Sequence, residues 1–537
     1  MGRKSPFTSL LCITALSTAL KLLLLAPNVY RSTDFEVHRN WLAITHSLPP
    51  SQWYWDEGSE WTLDYPPLFA WFEYVLSLLG HAVDSVMTDL KQLNYESLAT
   101  VRFQKLSVIV CDLALVGGLL LRFRCNKSIR GVSQQQPKKL AAAAALVLPH
   151  AGLFIVDHIH FQYNGVLLGL LLVSTGLIKH RKLLAAGVTF AVLVMMKHLF
   201  ITLAPLYLVY LLRTYCYCWL PRFSSTRAAN GSRGKLSITR LATMGTAVTL
   251  VVLMPLLSLC WPAHNPGDGS LIHHTCSEQV HQLLNRLFPF GRGLVHAYWA
   301  PNVWALYMAT DRVALLWLKL TGSLHDTAYV ASTTGGLVHN VGTSVLPPIT
   351  PSTAMLLTLA AILPALVKVW RCPTPRVFQW AAIHSSLSAF MLGWHVHEKA
   401  ILVPILQLAV LAIDAHEASK MFMMTSIAGV YALLPLIIPP REQYIAALLH
   451  WLYLMLASSV LGERWKSRTP KVKVIGPLEK CAVGILAIRW LMLDYVLYMT
   501  VPGMAFMPQL LTSVLCSVAL LVPWVEVFIC LMKEKRQ

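Results

Sequence analysis

The chain has 537 residues, of which 56% are hydrophobic and only 13% are charged, whereas about a quarter of the residues of an average soluble protein are charged. This composition excludes a water-soluble globular protein and predicts an all-α polytopic membrane protein. The 44 Lys and Arg residues outnumber the 25 Asp and Glu residues and give a net charge of +19. In a membrane protein such an excess indicates basic cytosolic loops rather than nucleic-acid binding.

Apolar stretches long enough to form membrane helices recur along the whole chain, since about 20 such residues span a bilayer. The first stretch has no small-residue cleavage site after it, so we interpret it as a retained first span. In chain order we predict about fourteen spans, at 9–27, 106–121, 140–157, 164–178, 183–196, 199–212, 240–260, 353–370, 378–394, 400–413, 421–438, 444–461, 478–498 and 508–531.

The basic residues predict the orientation of these spans. An even number of spans leaves both termini on one side, and the segments on that side hold most of the Lys and Arg residues. Because cytosolic loops are enriched in basic residues, we expect both termini in the cytosol. The sequons at Asn126 and Asn230 then lie in cytosolic loops and should carry no glycan.

Two long lumenal segments follow from this orientation, within a single membrane domain, 1–537. Residues 28–105 hold ten of the 25 acidic residues. This segment is too long to be a simple connector, so we expect it to be structured. An amphipathic helix is predicted from Pro66 to Ala82. In the second segment, 261–352, the sequence leaves open whether the aromatic piece 297–320 crosses the membrane.

The eleven cysteines are scattered and lie mostly in apolar runs or beside basic segments. Their spacing predicts neither a disulfide framework nor a zinc finger. Residues 262–281 contain several histidines and one cysteine, and their irregular spacing is typical of a solvated loop.

Polar residues collect at four predicted lumenal span ends, in residues 32–41, 63–67, 157–164 and 394–399. An ionisable group at membrane depth costs about 2.5 kcal/mol or more. The convergence of four such clusters at one face therefore predicts a shared polar site.

Asp34 is the candidate general base of this site, because an ionised aspartate at the membrane face can take a proton from a sugar hydroxyl. The alternative for Asp34 and Glu36 is a helix cap with a solvated first-turn acid. For Asp64 the alternative is a turn before the diproline.

The histidine pairs at 158 and 160 and at 395 and 397, followed by Glu398, permit a metal site. We favour interfacial histidines bonded to backbone, because residues two apart point in different directions on a helix. Lys197, Lys399, Arg286 and Arg292 are candidates to bind phosphate, although lysines at span ends also snorkel. No nucleotide-binding glycine pattern is present, so the substrates should be lipid-borne.

Five motifs carry a resemblance to a known family: DFE at 34–36, LDYPP at 63–67, HFQYN at 160–164, RLFPF at 286–290 and HEK at 397–399. On these motifs the chain resembles, nearly end to end, the endoplasmic-reticulum dolichyl-phosphate-glucose-dependent α-1,3-glucosyltransferases. The stretches 32–41, 157–165, 293–306 and 390–402 are most similar to the branch that adds the second glucose to the lipid-linked oligosaccharide of N-glycosylation.

The resemblance implies a GT-C glycosyltransferase with a lumenal active site in the endoplasmic reticulum membrane. It implies inversion by single displacement, with Asp34 as the base and with neither a cofactor nor an essential metal. The donor would be dolichyl-phosphate-glucose, and the acceptor a dolichyl-diphosphate-linked monoglucosylated oligosaccharide within the membrane lipid. Residues assigned on this basis to the donor or acceptor site are Glu36, Asp64, His160, Gln162, His397, Glu398 and Lys399.

Two alternatives stay open at this point. The first is the sister reaction, which adds the first glucose and differs only in its acceptor. The second is a lipid or sugar transporter, suggested by the many spans with polar ends, although no internal repeat is visible in the sequence.

Overall fold

The computed structural model describes residues 6–25, 30–124, 135–218, 235–264, 271–272, 274–289, 291, 293–296, 299–323, 343–437, 440–466, 476, 480, 482–484, 486 and 507–535. Within these residues the protein is almost entirely helical. Arg292, both sequons and most of the predicted span 478–498 lie outside the described residues.

The N-terminal part of the chain contains ten α-helices in its described residues. They are α1 Pro6–Leu22, α2 Thr33–Ser47, α3 Pro67–Val83, α4 Leu98–Cys111, α5 Leu113–Arg122, α6 Gln135–Val147, α7 Ala151–Leu153, α8 Asn164–Lys179, α9 Leu183–Met196 and α10 Ala204–Leu211. A π-helical stretch, Phe154–Phe161, continues α7.

The C-terminal part adds α11 Ile238–Leu259, α12 Cys276–Leu287, α13 Val303–Leu320, α14 Pro351–Arg371, α15 Pro375–Leu392, α16 Leu402–Leu411, α17 His416–Tyr431, α18 Pro440–Trp465 and α19 Met507–Lys533. Two short antiparallel hairpins complete the described structure. They pair β1 Tyr217–Cys218 with β2 Lys235–Leu236, and β3 Ala263–His264 with β4 Leu271–Ile272.

Eight helical stretches of the described chain are long and apolar enough to cross a membrane, and a ninth results if α6 and the bent stretch after it count as one span. The eight are Thr8–Leu25, Leu98–Arg122, His198–Cys216, Ile238–Leu259, Pro351–Arg371, His416–Leu436, Glu442–Trp465 and Gln509–Lys533. The predicted number of fourteen is not confirmed. α8 and α9 coincide with predicted spans, but each is shorter than a bilayer-spanning helix.

The protein has an inner group of buried helices and an outer group with exposed apolar faces. All ten residues of α16 are buried, as are most residues of α15 and α17. On the outer helices α11 and α14, by contrast, Met254 is 68% exposed and Leu356 is 64% exposed. Faces this apolar are stable against lipid tails rather than against water.

In the first long segment, 28–105, α2 and α3 pack against each other. α3 begins at Pro67, directly after Pro66, since proline tolerates the first helical position. This confirms the helix predicted there. Its residue Phe69 is fully buried against Trp41 of α2, with ring centroids 6.0 Å apart.

The second long segment, 261–352, contacts the first through α12. Gln279 donates a hydrogen bond of 2.7 Å to the carbonyl of Ser51 and accepts one of 3.0 Å from Trp55 Nε1. A disulfide joins Cys260, at the end of α11, to Cys276, the first residue of α12. The cysteine spacing did not indicate this bond, because the fold-back between the two helices brings the cysteines together.

The predicted piece 297–320 contains α13, an 18-residue helix. α13 is not among the described helices that meet the length and hydropathy expected of a membrane span.

Candidate active site

Asp34 lies in the first turn of α2, but it does not cap the helix. Ser32 occupies the N-cap position, but its side chain accepts no hydrogen bond from the backbone of the first helical turn. Its hydroxyl instead donates a hydrogen bond to the backbone carbonyl of His160. This contact joins the start of α2 to the HFQYN motif and aims the Asp34 carboxylate toward that motif.

Three side chains converge on one oxygen of Asp34. Lys399 Nζ and Gln162 Nε2 each lie 2.7 Å from Oδ2, and His160 Nε2 lies 3.2 Å from it. No hydrogen bond from a described residue reaches Oδ1, and the side chain is 21% exposed. Oδ1 is therefore the oxygen that a substrate hydroxyl can approach.

The surroundings of Asp34 keep it ionised. Burial by itself would raise the pKa of this carboxyl, but Lys399 and His160 hold the pKa well below its usual value. A cation and hydrogen-bond donors stabilise the carboxylate form in this way. At neutral pH the group is consequently a carboxylate, the form that a general base requires.

The HFQYN motif reaches Asp34 through an unusual stretch of backbone. The preceding residues form a π-helix, a feature that often occurs at functional sites. At its end Phe161 has a φ of 92°, a conformation that costs a non-glycine residue free energy. This reversal turns His160 and Gln162 toward the same carboxylate.

A buried network fixes the orientation of the Gln162 amide. Asn164 Nδ2 donates to Gln162 Oε1 at 3.0 Å and to Asp157 Oδ1 at 2.8 Å. Because the Gln162 oxygen is already an acceptor, its NH₂ group must face Asp34. Asp157 is fully buried and also accepts a hydrogen bond of 2.7 Å from the Gly165 backbone. A Cβ atom at Gly165 would collide with the Asp112 carboxylate, so this position requires glycine.

Lys197 borders the same region, between α9 and α10. Its Nζ lies 3.3 Å from Asn164 Oδ1 and 4.9 Å from the ring centroid of Tyr65. Burial, together with the charge of Lys399, lowers the pKa of Lys197 to about 8, while Asp64 is among the acids that oppose this shift. Five separate stretches of the chain therefore contribute charged or aromatic groups to one site, namely those with Asp34, Tyr65, His160, Lys197 and Lys399.

Comparison with known proteins identifies the family of the chain. The family model described as "ALG6, ALG8 glycosyltransferase family" matches residues 17–527. The chain belongs to this family.

Relatives cover nearly the whole chain. A Mus musculus protein named dolichyl pyrophosphate Glc1Man9GlcNAc2 alpha-1,3-glucosyltransferase is 40% identical over 529 residues, 96% of this chain and 94% of the mouse protein. The Arabidopsis thaliana protein of the same name is 40% identical over 97% of both chains. A Drosophila melanogaster protein, with "probable" before the same name, is 41% identical over 95% of this chain and 92% of its own.

Several predicted site residues of this glycosyltransferase do not meet Asp34. Glu36 forms a two-pronged ion pair with Arg39, at 2.7 and 2.8 Å, and Arg39 also donates to the carbonyl of Met87 at 3.0 Å. Arg286, on α12, lies 2.9 Å from Glu57. The Arg39 contacts lie within 28–105, and the Arg286 contact joins α12 to that segment.

His397 and Glu398 precede Lys399 but lie on another side of the turn. Glu398 Oε2 is 3.5 Å from His296 Nδ1. In the described part of the chain, one group has ligand atoms close enough to share a metal, and it consists of His296, His395 and His397.

The sequence analysis did not predict one buried charged cluster of this protein. Asp112 lies 2.5 Å from Lys21 Nζ and 2.9 Å from His158 Nε2, and all three are buried. The available signal was a single lysine inside the first apolar run, since isolated charges in membrane segments usually have partners.

Proposed function

We propose that this glycosyltransferase transfers glucose in α-1,3 linkage from dolichyl-phosphate-glucose to dolichyl-diphosphate-linked Glc1Man9GlcNAc2, the second glucose addition. The acceptor and linkage follow from the names of relatives about 40% identical over nearly the full chain. The chemistry is supported by one observation above all: an ionised carboxylate, Asp34, is held by Lys399 at 2.7 Å on one oxygen.

In the proposed reaction Asp34 takes the proton of the acceptor's 3-hydroxyl as that oxygen attacks C1 of the donor glucose. The bond between C1 and the phosphate oxygen breaks in the same displacement, which converts a β-linked donor into an α-linked product. The transition state resembles an oxocarbenium ion, so much of the negative charge develops on the leaving phosphate. Dolichyl phosphate departs as a stable anion, and no second carboxylic acid is needed to protonate it.

Lys399 and Lys197 are suited to offset the charge that grows on the leaving phosphate. Lys399 Nζ lies between Asp34 and His160 Nε2, at 2.7 and 3.3 Å. A donor phosphate that draws Lys399 toward itself weakens the ion pair with Asp34. Because that ion pair lowers the pKa of Asp34, donor binding would strengthen the base at the moment it is needed.

A lumenal position of the site is supported by the disulfide between Cys260 and Cys276. Such bonds form in oxidising compartments such as the lumen of the endoplasmic reticulum. α12, which begins at Cys276, contacts the segment that carries Asp34. The two long segments therefore belong on one side of the membrane.

Of the two alternative functions that the sequence left open, only the sister reaction requires an experiment. Membership of a glycosyltransferase family removes the motive for the transporter reading. The sister reaction is tested by supplying the purified protein and dolichyl-phosphate-glucose with two acceptors, one monoglucosylated and one without glucose. We expect product on the monoglucosylated acceptor alone, and product only on the unglucosylated acceptor would assign the chain to the sister step.

A further inference from the structure

Three histidines from two distant segments meet beside the turn that carries Lys399. His296 lies in the second lumenal segment, whereas His395 and His397 lie between α15 and α16, and one ring nitrogen from each falls within 4.8 Å of the others. Backbone contacts hold the segments together. The amide of His395 donates to the carbonyl of Leu294 at 3.0 Å, and Val295 and Val396 form a parallel bridge.

The backbone conformation explains how two histidines only two residues apart reach one point. The segment between α15 and α16 is not helical here, and His395 has a φ of 49°, in the left-handed region. The helical geometry that would point the two rings apart therefore does not apply. The rings of His296 and His397 are in contact, with centroids 3.8 Å apart.

Two of the three rings have an oxygen beside Nδ1. His395 Nδ1 lies 2.7 Å from the carbonyl oxygen of Gly293, and His296 Nδ1 lies 3.5 Å from Glu398 Oε2. Metal-binding histidines typically donate the N–H that does not face the metal to a carbonyl or a carboxylate, which fixes the tautomer and the ring orientation. The Gly293 carbonyl is a partner of this kind, and the Glu398 carboxylate lies near His296 as an ion pair without a hydrogen bond to Nδ1.

Glu398 decides which kind of ligand suits the cluster. Its side chain is 1% exposed, and neither of its oxygens receives a hydrogen bond from a described residue. A buried carboxylate repels an anion and is stabilised by a nearby cation. The cluster therefore favours a divalent cation over a phosphate group.

We propose that His296, His395 and His397 bind one divalent transition-metal ion, with Glu398 orienting His296. Nitrogen ligands beside a carboxylate suit Zn²⁺, and three histidines are a common zinc ligand set. The ion joins the second lumenal segment to the turn that carries Lys399, two residues after His397. Its role is to hold that turn in place, and the proposal does not depend on the identity of the sugar acceptor.

The test uses the full-length protein, purified in detergent with a tag that contains no histidine. The protein is equilibrated with Zn²⁺ and dialysed against metal-free buffer. Its zinc content is then measured by inductively coupled plasma mass spectrometry. We expect about one Zn²⁺ per chain. The variants H296Q and H397Q should lose this ion, whereas H281Q, at an exposed histidine of α12, should keep it.

Two further measurements keep the test decisive if a histidine variant folds poorly. E398Q should bind Zn²⁺ about 10- to 100-fold more weakly, as expected when a carboxylate that orients a metal-binding histidine is lost. A chelator should lower the melting temperature of the wild-type protein, because an ion that binds only the folded state stabilises it. Wild-type protein that retains no Zn²⁺, or E398Q protein that binds it as tightly as wild type, would overturn the proposal.

Discussion

Asp34 and Glu36 lie in one helical turn, and their partners separate their roles. Both oxygens of Glu36 bind Arg39 within α2, and Arg39 in turn donates to the carbonyl of Met87, so this carboxylate orients an arginine that anchors the helix. The side-chain contacts of Asp34 with Gln162, Lys399 and His160 all fall on Oδ2. These three groups can also donate hydrogen bonds to a phosphate. A carboxylate with one oxygen held and the other accessible is suited to act as a base.

Substitution of Lys399 by Gln tests the link between phosphate binding and base strength. Wild-type Asp34 has a pKa well below 3.8, so its protonation does not limit transfer in mildly acidic buffer. Without the lysine the pKa rises, because burial is then less opposed, and the acidic limb of kcat/KM should move to higher pH. At neutral pH kcat/KM should fall about 10- to 100-fold, as for the loss of one hydrogen bond to a charged group.

The matched control is K91Q, which removes an exposed lysine from 28–105, the segment that carries Asp34. It should leave both the rate and the pH profile unchanged. An acidic limb of K399Q that coincides with that of the wild type would contradict the proposed coupling between Lys399 and Asp34.

At the scale of elements, the decisive feature is the turn between the π-helical stretch and α8. A chain of hydrogen bonds crosses this turn, from Asp157 of the π-helical stretch through Asn164, the first residue of α8, and Gln162 to Asp34. Each contact restricts the orientation of the next group. The chain therefore fixes the amide that contacts Asp34, the proposed base, although only Gln162 touches it.

Removing the middle of this chain should misorient Gln162 without altering the charge of the site. We expect N164A to lower kcat by about tenfold or more, since a buried amide loses its partner. The KM for the acceptor should change less than kcat. N285A, at an exposed position of α12, is the control, and equal kcat values for N164A and wild type would remove Asn164 from the positioning network.

The sequence motifs predicted the residues around Asp34 better than the contacts that hold the surrounding segments together. Asp34, His160, Gln162 and Lys399 could be grouped from sequence because each stands where an apolar run ends, and span ends on one side of a membrane are close in space. The same criterion did not show that Arg286 lies away from Asp34. Its partner Glu57 is 229 residues away, and only the folded chain brings the two together.

The number of membrane helices was predicted less well, for a physical reason. α16 is apolar because neighbouring helices bury it, and α8 is likewise largely buried. Hydropathy alone does not distinguish a helix buried in protein from one that crosses the lipid. The disulfide was missed for a related reason, because a hairpin rather than a regular spacing brings its cysteines together.

At the scale of the whole molecule, orientation is the prediction with the widest consequences. A lumenal site requires 28–105 on the glycosylated side and the loops with Asn126 and Asn230 on the other. Both natural sequons should therefore stay free of glycan in cells. E60N creates a sequon with Thr62 at an exposed position of the first lumenal segment, and it should be glycosylated.

Mass shifts after glycosidase treatment report both outcomes. Glycan at Asn126 or Asn230 would reverse the local topology. The E60N protein serves as the positive control for access to the modifying enzyme, and failure to modify it, with normal expression, would place the first segment on the cytosolic side.

The most direct test of the account is the transfer rate of purified D34N with dolichyl-phosphate-glucose and the monoglucosylated acceptor. This change removes the base and preserves the shape of the side chain, so transfer should fall by about 100-fold or more, within the range attributed to general base catalysis. Donor binding should persist, and E60Q, which removes an exposed acid of the same segment, should retain wild-type activity. A D34N protein with most of its turnover intact would contradict the assignment of Asp34 as the base.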